Sequence, residues 1–192
     1  MAHKFQPQNF ARLENPDRLT LFSPEALLKQ CNLPVNPCLL DVGTGTGFYL
    51  QFLVQAAEPD GRVMAIDTSP EMLTHVKEKL NRWTEGRVVL VKGAEDWLPI
   101  PDQSADLAWL VFVFHELQNP REYLDELKRV LKPGGTICIV EWNKKVRDKG
   151  PPPEEVPSRA EMDGALRNAG FAVERSEELG LYCELLLART VP

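Results

Sequence analysis

Short apolar runs alternate with stretches of helical periodicity along most of the chain. Residues 38–42 are apolar and run into glycines. Residues 46–57 then place Leu50, Leu53, Val54 and Ala57 on one helical face. Residues 62–66 form the next run. Pro70 opens a predicted helix through Met72, Leu73, Val76 and Leu80, a place where its missing N–H is not needed. Residues 88–91 and 107–114 are a third and a fourth run. Tyr123, Leu124, Leu127, Val130 and Leu131 form an apolar helical stripe that Pro133-Gly134-Gly135 is expected to stop, and residues 136–140 are a fifth run. A last helix is predicted over 159–169, ended by Gly170, before runs at 171–173 and 181–188. Apolar runs flanked by helices read as parallel strands buried on both faces. The last two runs have only Leu179-Gly180 between them and predict a hairpin. The expected fold is α/β: a doubly wound, mostly parallel seven-stranded sheet with a C-terminal antiparallel hairpin, binding ligands at the carboxyl ends of its strands. Residues 1–36 precede the first strand. Helical spacing at Ala26, Leu27 and Leu28 makes them an arm or cap over that crevice, and residues 37–192 form the main domain.

Composition leaves this picture standing and removes several functions. The 16 prolines exceed the usual share, yet with 12 glycines they fall short of what low-complexity disordered chains carry. Net charge is −6, from 22 basic and 28 acidic residues, which argues against nucleic-acid binding. The longest apolar run, 107–114, is far shorter than the roughly 20 residues of a membrane span, and residues 1–30 lack the apolar core of a signal peptide. The four cysteines form neither a C-x-x-C pair nor a zinc spacing, so no metal is expected. A reduced cytoplasmic protein, monomer or homodimer, follows.

The strongest chemical signal is Leu39-Leu40-Asp41-Val42-Gly43-Thr44-Gly45-Thr46-Gly47, where the first strand runs straight into glycines and a helix. Glycine lets the backbone turn without a Cβ and lets a ligand touch the main chain. A dinucleotide fingerprint would put its third glycine at position 48, where Phe48 stands, and no G-K-[ST] ending makes a phosphate loop. The glycine spacing thus disfavours a nicotinamide oxidoreductase. Asp67 closes the second strand and can accept hydrogen bonds from both hydroxyls of a ribose. Alone it reads equally as a helix N-terminal acid before Ser69-Pro70. With Asp41 and the glycines it points to an adenosine compound without a required diphosphate.

The chain resembles the class I S-adenosylmethionine-dependent methyltransferases, in particular the ubiquinone/menaquinone-biosynthesis-like (type 11) family. The resemblance rests on the glycine loop, on Ala65-Ile66-Asp67-Thr68-Ser69-Pro70-Glu71-Met72-Leu73, on Leu98-Pro99-Ile100-Pro101-Asp102, on Asp106 opening the fourth strand, and on Arg129-Val130-Leu131-Lys132-Pro133-Gly134-Gly135. It implies a Rossmann-like fold with S-adenosylmethionine as cofactor. Gly43, Gly45 and Gly47 would approach the methionine moiety with Asp41 near its amino group. Asp67 would hold the ribose, and Thr44, Thr68, Met72 and Leu110 would add contacts. At the adenine the chain departs from the family, which commonly has Asp or Asn followed by Ala. Here the residues are Gly93-Ala94-Glu95-Asp96, and Ala94 has no side chain to bond the adenine amino group. Glu95, Asp96 or a backbone carbonyl takes that role.

A sulfonium methyl is already electrophilic, so positioning matters most and a base is needed only when the acceptor must lose a proton. His115 and Glu116, after the fourth run, are the catalytic candidates. His115 would serve as base, with Glu116 orienting it or pairing with a cationic acceptor. The same pair could instead cap the helix at Asn119-Pro120. Glu141-Trp142-Asn143 and the stiff segment 149–155, unless that segment is a plain connector, are expected to shape the acceptor pocket; the arm from His3 through Arg18 could close over it, while its Phe5, Phe10 and Phe22 read more readily as packing on the core. The chain lacks a [DN]-P-P-[YF] tetrad, a Pro-Cys nucleophile and the cysteine cluster of arsenite methyltransferases. A small-molecule acceptor remains, with a catalytically silent cofactor-binding protein as the alternative.

Overall fold

The computed structural model describes residues 10–80, 86–94 and 96–191. Seven strands form one sheet: β1 (Cys38–Val42), β2 (Arg62–Asp67), β3 (Val88–Lys92), β4 (Ala105–Val111), β5 (Leu131–Trp142), β6 (Phe171–Leu179) and β7 (Cys183–Thr190). Their spatial order is β3-β2-β1-β4-β5-β7-β6. The first five run parallel, and β7 lies antiparallel between β5 and β6. The chain steps outward from β1 to β3, then returns to lay β4 on the other side of β1. Loops after β1 and β4 therefore diverge and open a crevice at the carboxyl ends of these strands.

The helices are α1 (Phe10–Leu13), α2 (Pro24–Leu28), α3 (Leu50–Ala56), α4 (Pro70–Leu80), α5 (Pro120–Val130) and α6 (Arg159–Asn168). Successive strand residues face opposite sides of the sheet, and both sides are apolar. Leu39, Trp109 and Val140 share one core with Phe22, Leu53 and Val76. Leu40, Leu110 and Ile139 share the other with Leu124, Leu127 and Leu166. Burial on both faces explains why these strands read as unbroken apolar runs. The helices start where the sequence offers caps. Ser69 Oγ accepts from the Met72 N–H before Pro70, and Asn119 accepts from Glu122 before Pro120. Ser158 and Glu161 form a reciprocal capping box on α6. Among the described residues no helix is long and apolar enough to cross a membrane.

Four boundaries differ from expectation, each for a local reason. The helix predicted over 46–57 begins only at Leu50, because Gly45 and Gly47 take φ of 54° and 74° and cannot enter a right-handed helix. The run 107–114 stops being strand at Val111, where Phe112 turns to φ 59° and Phe114–Glu116 form a one-turn helix. Helix α5 ends at Val130, before Pro133-Gly134-Gly135. These three residues instead bulge inside β5, whose register against β4 jumps from Ala105↔Leu131 to Leu107↔Thr136. The hairpin turns over residues 180–182, so β6 is longer and β7 starts later than the apolar runs suggested.

Arg129 holds the segment before β4 against α5. It donates to the carbonyls of Leu98 and Ile100, each at 3.0 Å, and pairs with Glu126, which itself accepts the Leu98 N–H at 2.7 Å. The core beneath depends on Leu124, which is fully buried. Leu124→Ala should lower the unfolding free energy by about 2–5 kcal/mol. Urea denaturation checks this, and a loss below about 1 kcal/mol would mean that the core collapses around the gap.

Candidate functional site

The crevice widens into a cavity of about 1050 Å³ at the carboxyl ends of β1, β2 and β4. Its floor is the glycine loop. Gly43, Gly45 and Gly47 all have positive φ, and a Cβ at Gly43 would stand 2.5 Å from Val113 Cγ2. Glycine is required there for conformation and for space. The loop is tied to β2, with the Thr44 N–H donating to the Ile66 carbonyl at 2.8 Å and the Gly45 N–H to Asp67 Oδ2 at 2.8 Å.

Two carboxylates end strands on this floor. Asp67 also accepts from the Ser69 N–H at 2.9 Å, and burial raises its carboxyl even though backbone donors oppose the rise. Asp41 is more deeply placed, with Thr44 Oγ1 donating to its Oδ2 at 2.7 Å. Burial, opposed by that hydrogen bond and helped by nearby Asp67, pushes the Asp41 carboxyl up to about 7. Each acid keeps further lone pairs for a donor in the cavity.

Opposite them stands His115. Burial works against its charge, but the hydrogen bond to Glu141 and the charges of Glu141 and Glu116 outweigh it, and the imidazole is held above its ordinary value of 6.5. Glu141 Oε2 lies 3.0 Å from His115 Nδ1 and accepts the His115 backbone N–H at 3.1 Å. Its Oε1 accepts the Trp142 N–H at 2.8 Å. Glu141 is wholly buried, and the His115 side chain is 8% exposed. In the neutral ring, Nδ1–H donating to Glu141 leaves Nε2 as the proton acceptor.

The structure brings Asp41, Gly43, Thr44, Gly45, Asp67, Thr68, Met72, Ala94, His115 and Glu116 to one cavity. Gly47 sits behind it, on a smaller cleft of about 460 Å³ beside Glu14 and His75. Leu110 is not among the residues that border the cavity: it is buried in the core beside Val42 and Leu124, and its neighbour Val111 borders the cavity instead. The reason is strand alternation, which sends successive residues to opposite faces. Glu95 and Phe5 lie outside the described residues. Asp96 is exposed and does not border the cavity. The orienting partner of His115 is Glu141 rather than Glu116, whose Oε1 is 4.0 Å from Nε2. An acid closing an apolar run, the signal that singled out Asp67, also marks Glu141.

Other borders were less visible in sequence. The arm lies on the glycine loop, with Leu13 Cδ1 3.5 Å from where a Gly45 Cβ would be, and Glu14 pairs with Lys79 of α4. Asp17 bridges to Lys149 at 2.8 Å, joining the arm to the proline-rich loop at the cavity mouth. Tyr123, expected only as part of a core stripe, is buried and still borders the cavity.

The model of a family described as a methyltransferase domain matches residues 40–139. The crystal structure of a SAM dependent methyltransferase from Aquifex aeolicus is similar over 98% of this chain and 100% of that one, at 44% identity and a TM-score of 0.93. Demethylmenaquinone methyltransferase of Geobacillus kaustophilus is 33% identical over 116 residues, 60% of this chain and 50% of that protein. A ubiquinone/menaquinone biosynthesis C-methyltransferase of a Marinomonas species is 29% identical over 118 residues, 61% of this chain and 47% of that protein. The chain spans about half the length of these curated relatives.

Two predictions follow from the buried ionisable groups. Because Asp41 ionises less readily folded than unfolded, its burial costs stability as pH rises from its ordinary 3.8 through about 7, and the cost is complete above that. Asp41→Asn should therefore stabilise the ligand-free protein at about pH 8 by ~1–3 kcal/mol, with little change near pH 4. Urea denaturation at both values is the check, and an equal effect at both would remove the buried charge as the cause. For His115 the sign is opposite. Its pairing with Glu141 stabilises the fold fully below the ordinary 6.5 and fades as pH rises through the raised folded value. Glu141→Gln should lower the imidazole midpoint followed by proton NMR, and an unchanged midpoint would mean that another group holds the charge.

Proposed function

The chain belongs to the methyltransferase-domain family, and we propose that it is an S-adenosylmethionine-dependent methyltransferase acting on a small-molecule acceptor. The observation that carries this reading is the meeting of two strand-end carboxylates, a positive-φ glycine loop and a glutamate-held imidazole on one cavity.

The residues present suit the cofactor. Asp41 keeps a buried carboxyl poised near neutrality, which an ammonium group would convert to carboxylate. Asp67 is fixed by two backbone donors, so its remaining lone pairs face ribose hydroxyls in a set orientation. The bare glycine backbone admits a ligand against the main chain, and Met72 and Ala94 border the place for a flat base. When bound, S-adenosylmethionine supplies a methyl group activated by its sulfonium.

The protein's share is placement and proton handling. Glu141 fixes the His115 ring in plane and tautomer, so Nε2 takes a proton from an acceptor hydroxyl, thiol or amine. Glu116 adds negative charge beside that nitrogen and favours the imidazolium that results. The arm and the 149–152 loop both border the cavity and are tied to each other by Asp17–Lys149. The likeness to the Aquifex protein, which extends over the whole of that chain, supports reading the cavity as one catalytic unit. The names of the two quinone-pathway relatives support a small-molecule acceptor.

Calorimetric titration tests the assignment. S-adenosylhomocysteine should bind and NAD should not, and Asp67→Asn should weaken S-adenosylhomocysteine by about tenfold or more. Tighter binding of NAD would sink the reading. Binding without methyl transfer to any acceptor would leave a silent cofactor-binding protein.

A further inference from the structure

The turn that carries His115 off β4 is strained, and two stacked rings hold the strain. We propose that Phe112 and Trp142 are a positioning pair for His115: their stacking keeps residue 112 in the left-handed region, and that conformation delivers the imidazole to Glu141. The pair serves the proposed reaction only through His115, and so rests on reading that residue as the proton acceptor.

Along β4 the side chains alternate as a strand requires. Leu107, Trp109 and Val111 join one core, and Ala108 and Leu110 join the other. Phe112 should follow Leu110. Its φ is 59° instead, and its ring packs on the same core as Val111. The strand's phase thus slips by one residue, which changes the face of every side chain that follows. Val113 comes over Gly43, where a Cβ would stand 2.5 Å from its Cγ2, and Phe114 enters the second core. His115 then meets Glu141 twice, through its backbone N–H at 3.1 Å and Nδ1 at 3.0 Å. A bulky residue seldom takes a positive φ, so the neighbours must hold it there.

Trp142 is the chief of these neighbours. Strand alternation puts it on the same face of β5 as Cys138 and Val140, the face to which Phe112 has turned. The two rings stack at 4.3 Å and 19°, and Phe22 meets Phe112 edge-on at 6.4 Å and 67°. The Phe112 N–H still donates to the Val140 carbonyl at 2.8 Å, so the turn begins from a fixed point. Trp142 is itself held, with Arg147 Cζ 4.8 Å from its ring and Arg147 donating to the carbonyls of Asn143, Lys145 and Pro151. Trp142 reaches His115 by a second route as well. Its backbone N–H donates at 2.8 Å to Oε1 of Glu141, the carboxylate whose Oε2 holds the imidazole. The charges that act on the imidazole are those of Glu141, Glu116 and Arg147. Phe112 and Trp142 add none, and act on it through geometry alone.

The test ranks substitutions at position 112 by the His115 imidazole midpoint, followed by proton NMR in the ligand-free full chain and assigned by its loss in His115→Gln. Leucine stays large and apolar but neither stacks nor tolerates the left-handed region, whereas glycine enters it freely and asparagine more readily than most. Phe112→Leu should therefore lower the midpoint toward the ordinary 6.5, and Phe112→Gly and Phe112→Asn should keep it nearer the wild-type value. A merely structural role predicts the reverse rank, since leucine fills the core best. Trp142→Leu should lower the midpoint and Trp142→Phe should restore it. Adding Phe112→Gly to Trp142→Leu should recover most of the loss, because glycine holds the turn without a stack. A wild-type midpoint in Phe112→Leu, a lower one in Phe112→Gly than in Phe112→Leu, or no recovery in the double variant overturns the proposal. The position-112 series decides the matter even where Trp142→Leu does not fold. None of these readings needs a cofactor, so failure of S-adenosylhomocysteine to bind overturns the cofactor reading and leaves the positioning pair standing.

Discussion

Everything at the site follows from placing carboxylates at the ends of strands that are otherwise wholly apolar. A strand buried on both faces has nowhere else to carry charge, so Asp41, Asp67 and Glu141 all sit where β1, β2 and β5 emerge. Each must find donors at once. Asp67 takes the N–H groups of Gly45 and Ser69, Asp41 takes the Thr44 hydroxyl, and Glu141 takes His115 and the Trp142 N–H. The positive φ of the glycines brings their N–H groups within reach. Loop shape and acid placement are therefore one constraint, imposed by desolvation.

The same constraint divides the cavity electrically. Its floor carries buried acids, and the guanidiniums of Arg18 and Arg147 stand against the rings of Phe112 and Trp142 on its border. Between them Phe112 holds a backbone conformation, φ 59°, that costs a bulky residue roughly 1–2 kcal/mol. Stacking on Trp142 returns about 0.5–1.5 kcal/mol beyond burial. The strained turn ends β4 there and swings Val113 over Gly43 and His115 toward Glu141. Backbone strain at one residue thus assembles both the wall and the imidazole site.

How much of this was legible in the sequence depends on the range of the interaction. Strand runs, caps and glycine spacing are local, so the sheet, the helix starts at Pro70 and Ser158, and the loop with Asp41 and Asp67 could be read residue by residue. That Val111 rather than Leu110 borders the cavity was not legible, because periodicity tells alternation but not which of two neighbouring residues reaches the cavity. The partnership of His115 with Glu141 spans 26 residues and two strands, and only the parallel register of β4 on β5 brings them together. Arg18 looked like any arm residue. The rings around it, Phe48 and Phe112, are far apart in the chain and meet only in the fold.

The division of the cavity also separates what the chain shares with its family from what is its own. Asp41, the glycines, Asp67, Met72 and Ala94 all lie within the segment common to methyltransferase domains. Other residues that border the cavity come from outside it: Arg18 from the arm, Trp142 from the end of β5, and Arg147 and Lys149 from the loop that follows. These outer segments are joined by Asp17–Lys149 rather than by the sheet. Exposed ion pairs of this kind contribute little to stability. The outer border can therefore change its side chains without disturbing the strand-end acids on the cavity floor. This division also explains why the names of relatives that share half their length with this chain inform the methyl donor more than the molecule that receives the methyl.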